Sequence, residues 1–231
     1  MCGRFCLACG PETLAARFKV VVDPSQYTIT YNAAPTQTLP VITNEAPEKI
    51  SFFRWGLIPF WAKDKSIGNK MINARAETLH EKPAFREGLK KRRCLIPASG
   101  FYEWKKDGNH KQPYFIGLEG KEVFAFAGLW DSWSDPSNQE TTHSFTIITT
   151  ETNERLKPIH NRMPVILAQK AEQTWLTGEL PKEELKAFPS DKMKAFTVST
   201  RVNSVSHNSA DLMEYYEPHG KAVVERGTEW I

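Results

Sequence analysis

Val123-Phe124-Ala125-Phe126-Ala127-Gly128-Leu129-Trp130 is a continuous apolar run, too short for a buried helix of ordinary length and rich in residues that suit a pleated backbone. It reads as a strand. Gln112-Pro113-Tyr114-Phe115-Ile116-Gly117 before it and Phe145-Thr146-Ile147-Ile148-Thr149-Thr150 after it have the same character. The polar stretch from Asp131 to Thr142 is read as the connection, with an exposed turn at Pro136. These segments set the centre of the chain as a strand-rich domain.

Working outward, strands are expected at Tyr27–Tyr31, Leu39–Thr43, Ile50–Trp55 and Phe196–Ser199, with a loop at Asn32–Thr36 and a hairpin turn from Lys105 to His110. Short helices are expected at Pro11–Val22, Phe85–Lys91, Ala171–Leu176 and Lys182–Ala187, and Leu212–Ile231 is read as a closing segment. Pro24 is expected to help end the first helix. No repeat or low-complexity linker divides the 231 residues, so residues 1–231 are read as one domain.

Composition is globular, and the net charge of +3 permits nucleic-acid binding without demanding it. Lys90-Lys91-Arg92-Arg93 reads either as a solvated basic turn or as part of one basic face. No apolar run approaches the roughly 20 residues that span a bilayer. No membrane association is expected, and the setting is expected to be cytoplasmic or nuclear. The cysteines Cys2, Cys6, Cys9 and Cys94 do not resemble a secreted disulfide framework. Cys2-x3-Cys6-x2-Cys9 suggests an iron–sulfur or zinc site only weakly, because its spacing is not a paired-cysteine signature and no scaffold precedes it. No metal and no cofactor are expected.

Position gives Cys2 its interest. If Met1 is removed, Cys2 carries an α-amine and a thiol two carbons apart, a pair that can close a five-membered ring on an aldehyde. The alternative is an incidental small apolar side chain. Glu103, between Tyr102 and Trp104, is a carboxylate whose surroundings suit proton exchange, or else a surface strand residue. His160 lies in a proline-bounded turn before an apolar strand, as a proton carrier or a structural hydrogen-bonding group. Asn73, Arg75 and Glu77 share a face while extended, and offer an amide for a sugar oxygen and a guanidinium for phosphate; a polar sheet edge with an Arg–Glu pair is the alternative. Trp55-Gly56-Leu57-Ile58-Pro59-Phe60-Trp61 is either a buried aromatic corner or a surface that stacks on bases.

Cys2-Gly3-Arg4-Phe5, Asn32-Ala33-Ala34-Pro35, Trp55-Gly56-Leu57-Ile58-Pro59, Asn73-Ala74-Arg75-Ala76-Glu77, Gly100-Phe101-Tyr102-Glu103-Trp104 and His160-Asn161-Arg162-Met163-Pro164, in this order, resemble the SRAP family of abasic-site-processing proteins from Cys2 to about Val205. The resemblance implies a single α+β domain with a curved, barrel-like β core and peripheral helices. It implies a groove for single-stranded DNA carrying an abasic site, at a plain strand or a single-to-double-strand junction, and capture as a thiazolidine on processed Cys2. Asn73 would hold the opened sugar, Glu103 and His160 would move protons, and Arg4, Arg75 and Arg162 would contact DNA or organise the site. Trp55 and Trp61 would shape and separate the bases. Reference pKa values of about 7.7 to 8.0 for the amine and about 8.5 for the thiol lead to the expectation that both nucleophiles are usefully reactive near neutrality. A monomer is expected, in the cytoplasm or nucleoid of a bacterium or the nucleus of a eukaryote. Two other functions are carried forward: a thiol peptidase or autopeptidase built on Cys2, His160 and Glu103, and a module that binds single strands without a covalent bond.

Overall fold

The structure, a computed structural model, describes residues 2–120, 122–179 and 184–218. Its strands are β1 (Phe5–Leu7), β2 (Thr30–Ala33), β3 (Thr38–Thr43), β4 (Ala46–Trp55), β5 (Asn73–Arg75), β6 (Arg93–Ala98), β7 (Gly100–Asp107), β8 (His110–Leu118), β9 (Phe124–Ser134), β10 (Thr141–Glu151), β11 (Arg162–Pro164), β12 (Ile166–Leu167) and β13 (Met193–Thr197). The helices are α1 (Pro11–Phe18), α2 (Pro83–Lys91) and α3 (Gln169–Thr177), with several short 3-10 turns.

The apolar run at 123–130 becomes the buried first part of β9, paired with β6 on one side and β10 on the other. Its Gly128 is required by the closeness of both neighbours. A Cβ there would lie 2.2 Å from Cδ1 of Ile96 and 2.8 Å from the carbonyl oxygen of Thr146. Following the hydrogen bonds from β9 through β6, β3, β4 and β10 leads back to β9, so these strands close a barrel. Closure removes the unpaired edges that an open sheet of this kind would present. A second sheet, ordered β13-β8-β7-β1-β2, lies beside it. One apolar cluster joins the two: Phe5, Phe101, Ile116 and Met193 of the second sheet pack with Val41, Trp55, Phe126 and Phe145 of the barrel. The expected α+β fold with a barrel-like core and peripheral helices is therefore present.

Several boundaries differ from expectation for local reasons. α1 stops at Phe18, well before Pro24, because Lys19 turns left-handed at φ 57° and its N–H bonds the Ala15 carbonyl. β9 and β10 extend into the polar connection, which shrinks to residues 135–140. Tyr27–Ile29 lies outside β2, whereas Asn32 and Ala33, expected in a loop, belong to it. The expected helix at Lys182–Ala187 falls partly outside the described residues, and 184–187 contains no α-helix. Of the closing segment, Leu212 is buried and Tyr216 exchanges hydrogen bonds with Thr197; residues 219–231 lie outside the described residues.

The basic run is divided. Lys90 and Lys91 are exposed, but Arg93 is buried, donating to the Leu89 carbonyl at 2.6 Å and lying over the Trp175 ring. Arg92 pairs with Asp131 at 3.1 Å. Half of its charge therefore belongs to the scaffold, with a cation–π contact holding α3 against β6.

Candidate active site

Strand β10 organises the site because two short strands use its C-terminal half. β4 runs parallel to β10 at Arg54 and Trp55, the chain makes an excursion over residues 56–72, and β5 resumes the same pairing at Asn73–Arg75. Gly56 permits the departure: its φ is +123°, and a Cβ would lie 2.5 Å from the Gly68 carbonyl oxygen. β11 pairs antiparallel with Thr149–Glu151 and fixes the turn that ends at His160. β10 thus sets both Asn73 and His160.

The second sheet delivers the other two groups. β1 pairs with β7 at Phe5↔Phe101 and Cys6↔Gly100, and Tyr102 donates its N–H to the Arg4 carbonyl at 2.9 Å. Continuing that register carries residues 2–4 alongside Tyr102–Trp104. Cys2 is fully buried, with Sγ directed at the Arg4 carbonyl at 3.8 Å. Asn73 Nδ2 donates to the Cys2 carbonyl at 2.8 Å, while Asn73 Oδ1 is buried with no hydrogen-bond partner among the described residues. Burial pushes the Cys2 thiol well up, and the nearby negative charge of Glu103 pushes it further. The expected reactive thiolate near neutrality is therefore corrected for the chain bearing Met1: the sulfur holds its proton.

Glu103 is 3% exposed and lines a cleft of about 630 Å³ together with His160, Arg4, Trp104, Lys106, Lys111 and Asn203. His160 Nδ1 lies 3.0 Å from the Arg162 backbone nitrogen and 3.3 Å from its carbonyl oxygen, which holds the ring against the start of β11. The cleft therefore combines a carboxylate and an imidazole with basic walls, and the buried Cys2 thiol lies close enough to Glu103 to feel its charge.

The sequence of the SOS response associated peptidase (SRAP) family matches this chain over residues 1–205. This chain belongs to the SRAP family. Among its relatives, abasic site processing protein YoaM of Bacillus subtilis is 45% identical, over 93% of this chain and 98% of that protein. Abasic site processing protein HMCES of Xenopus tropicalis is 32% identical, over 83% of this chain and 67% of that protein. A solved protein from Bacteroides thetaiotaomicron superposes with a TM-score of 0.85 at 32% identity, covering 94% of this chain and all of that one.

In this SRAP domain the groups expected to meet DNA have unequal freedom. Trp55 is fully buried, donates Nε1–H to the Ile72 carbonyl at 2.9 Å, and packs edge-on against Phe5, which is the buried aromatic corner of the two alternatives. Trp61 is 49% exposed beside Phe60. The Arg75 side chain is exposed and makes no hydrogen bond or ion pair among the described residues, although its charge acts on Glu77. Arg162 instead grips Glu77 through two bonds of 2.7 and 3.0 Å and the Thr149 carbonyl at 2.6 Å. That grip holds the Glu77 carboxyl below its usual range. The expected shared face of Asn73, Arg75 and Glu77 is also broken, because Ala76–Thr78 turns into a 3-10 helix and sends Glu77 to Arg162.

Arg4 lines the cleft but is tied to Asn32 Oδ1 at 3.0 Å and the Val202 carbonyl at 2.6 Å. Asn32 completes a hub that sequence reasoning missed, its Nδ2 directed at the carbonyls of Val202, Ser204 and His207 at 2.8 to 3.2 Å. This hub pins the 3-10 turn Thr200–Asn203 against β2, and Asn203 in turn accepts the Trp104 indole N–H at 2.8 Å. No local signal marks it, since the partners are about 170 residues apart.

The cysteines do not converge. Cys6 Sγ meets Met213 Sδ at 3.4 Å, Cys9 meets the Tyr27 hydroxyl at 3.8 Å, and Cys94 is buried in the barrel cluster. Among the described residues no group of three or more His, Cys, Asp or Glu is placed to hold a metal ion, and no helix is long and apolar enough to cross a membrane.

Proposed function

We propose that this chain captures abasic sites in single-stranded DNA as a covalent adduct on Cys2. The observation that carries the reading is the junction of two sheets that sets Cys2 against Asn73 and near Glu103, which with His160 lines a basic cleft. The names of its SRAP relatives, abasic site processing proteins, supply the substrate.

Removal of Met1 converts the Cys2 amide nitrogen to a free amine. The open-chain sugar presents an aldehyde at C1′, which the amine attacks; the carbonyl oxygen leaves as water and an iminium remains. The thiol sulfur then bonds the same carbon, and its proton leaves to the neighbouring base. After the ring nitrogen returns to its neutral form, the balance is one thiazolidine and one water from one aminothiol and one aldehyde. Closure releases the thiol proton, which Glu103 is assigned to take, with His160 relaying protons to the departing oxygen. Asn73 fixes the aminothiol through the Cys2 carbonyl, and its free acceptor Oδ1 suits a sugar hydroxyl that donates to it.

Arg75 and Trp61 are the groups available for phosphate and base. Arg4 and Arg162 act by building the walls. Action as a monomer and preference for a strand junction are extensions of this reading, tested by adduct yield on plain and junction DNA at several protein concentrations. A thiol peptidase built on Cys2, His160 and Glu103 would instead cleave peptides, which tests it against the capture reading. Incubation with abasic single-stranded DNA should give a complex that survives denaturation, and Cys2→Ala should abolish it. An equal yield from Cys2→Ala would overturn the mechanism.

A further inference from the structure

The hairpin of β7 and β8 places Lys106 directly opposite Lys111. Side chains at directly opposed positions have Cβ atoms about 5 Å apart, and like charges there destabilise the hairpin. Both lysines are exposed, both line the cleft beside Glu103 and His160, and neither side chain makes an ion pair or hydrogen bond among the described residues. Trp104 lies two residues before Lys106 on the same face of the strand, its indole anchored by Asn203 at 2.8 Å. The wall carrying the lysines is therefore fixed at its base. Arg4, the other cation lining this cleft, is already engaged by the Asn32 hub.

We propose that Lys106 and Lys111 form a phosphodiester subsite that holds the DNA backbone next to the captured sugar. The proposal rests on the DNA-capture reading and adds the groups that grip the strand independently of its sequence. A phosphate between the two ammonium groups replaces their repulsion by two attractions. In the free protein the juxtaposition opposes folding, so it is a feature that binding explains better than stability does. Lysine suits this task because a flexible point charge follows a backbone whose bases vary.

The test uses the full chain with Cys2→Ala, which separates binding from bond formation, and an intact thymidine oligonucleotide. Affinity is measured between 50 and 200 mM salt. Removing two phosphate contacts from a single strand should make the slope of log affinity against log salt shallower by about 1.4. The deficit of K106Q/K111Q should accordingly be about sevenfold larger at 50 than at 200 mM. Its melting temperature should equal or exceed that of the parent. The charge-matched K90Q/K91Q pair, on α2, should leave the slope unchanged. An unchanged slope in K106Q/K111Q, an equal change in K90Q/K91Q, or no measurable binding of the parent would overturn the subsite. Absence of adduct from the native chain alongside the predicted slope change would instead defeat the capture reading and leave the subsite standing.

Discussion

Asn73 holds the Cys2 carbonyl with its amide nitrogen and keeps its amide oxygen buried without a partner among the described residues. An acceptor left in that state is unfavourable unless something arrives to donate to it. Asn73→Ala removes both functions, and we expect the single-turnover rate of adduct formation to fall about 100-fold, the scale of a misplaced reacting group. Binding of intact single-stranded DNA by the same variant should change less than twofold. Rapid-quench measurement of adduct alongside equilibrium binding checks the split; equal losses in both would make Asn73 a general DNA contact. Cys2, Asn73, Glu103 and His160 could be named as candidates from residue type and position, and their roles came from the family resemblance. Arg4 and Trp55 were legible only as candidates. Their engagement is decided by partners such as Val202, 198 positions from Arg4, and by a core that no local pattern reveals.

At the scale of elements, β10 does the placing and α1 and α3 brace the barrel. Arg17 near the end of α1 forms a bidentate pair with Glu172 in the first turn of α3, at 2.7 and 3.0 Å, and donates to the Val123 carbonyl at the entrance to β9. Glu172 is 7% exposed, and burial pushes its carboxyl up despite the arginine. Arg17→Met should destabilise the fold by about 3 kcal/mol, since it strands a buried carboxylate. Adding Glu172→Leu should restore most of that loss, and urea denaturation of the single and double variants tests it; no recovery would show that Arg17 acts through Val123 alone. The strands at 39–43, 50–55 and 145–150 could be read directly because each is an apolar segment of strand length. β5 and β11 could not be delimited so well. Each has three residues, too few for a periodicity, and exists because β10 offers it an edge.

For the molecule as a whole, burial pushes up three thiols, Cys2 and Cys94 in the cluster between barrel and second sheet and Cys6 on the other face of that sheet against Met213. Each thiol ionises more readily in the unfolded chain, near pH 8.5. Their contribution is therefore fully present below that pH and is lost as pH rises above it, while the folded thiols stay protonated. The melting temperature should fall progressively above about pH 8.5, and Cys94→Ala, whatever its effect at neutral pH, should make that alkaline fall shallower. An unchanged slope would place the titrating groups elsewhere. Closure of the barrel was foreseeable only through family resemblance, because strand order depends on pairings across the whole chain, such as Arg54 with Ser144. The seam between barrel and second sheet holds Cys2, and the central claim is that processed Cys2 reacts through both amine and sulfur. Intact mass spectrometry of the protein before and after incubation with an abasic oligonucleotide tests this most directly. The predicted species lacks Met1 and gains the mass of the oligonucleotide less one water. A species that retains Met1 and carries the same added mass would contradict the account.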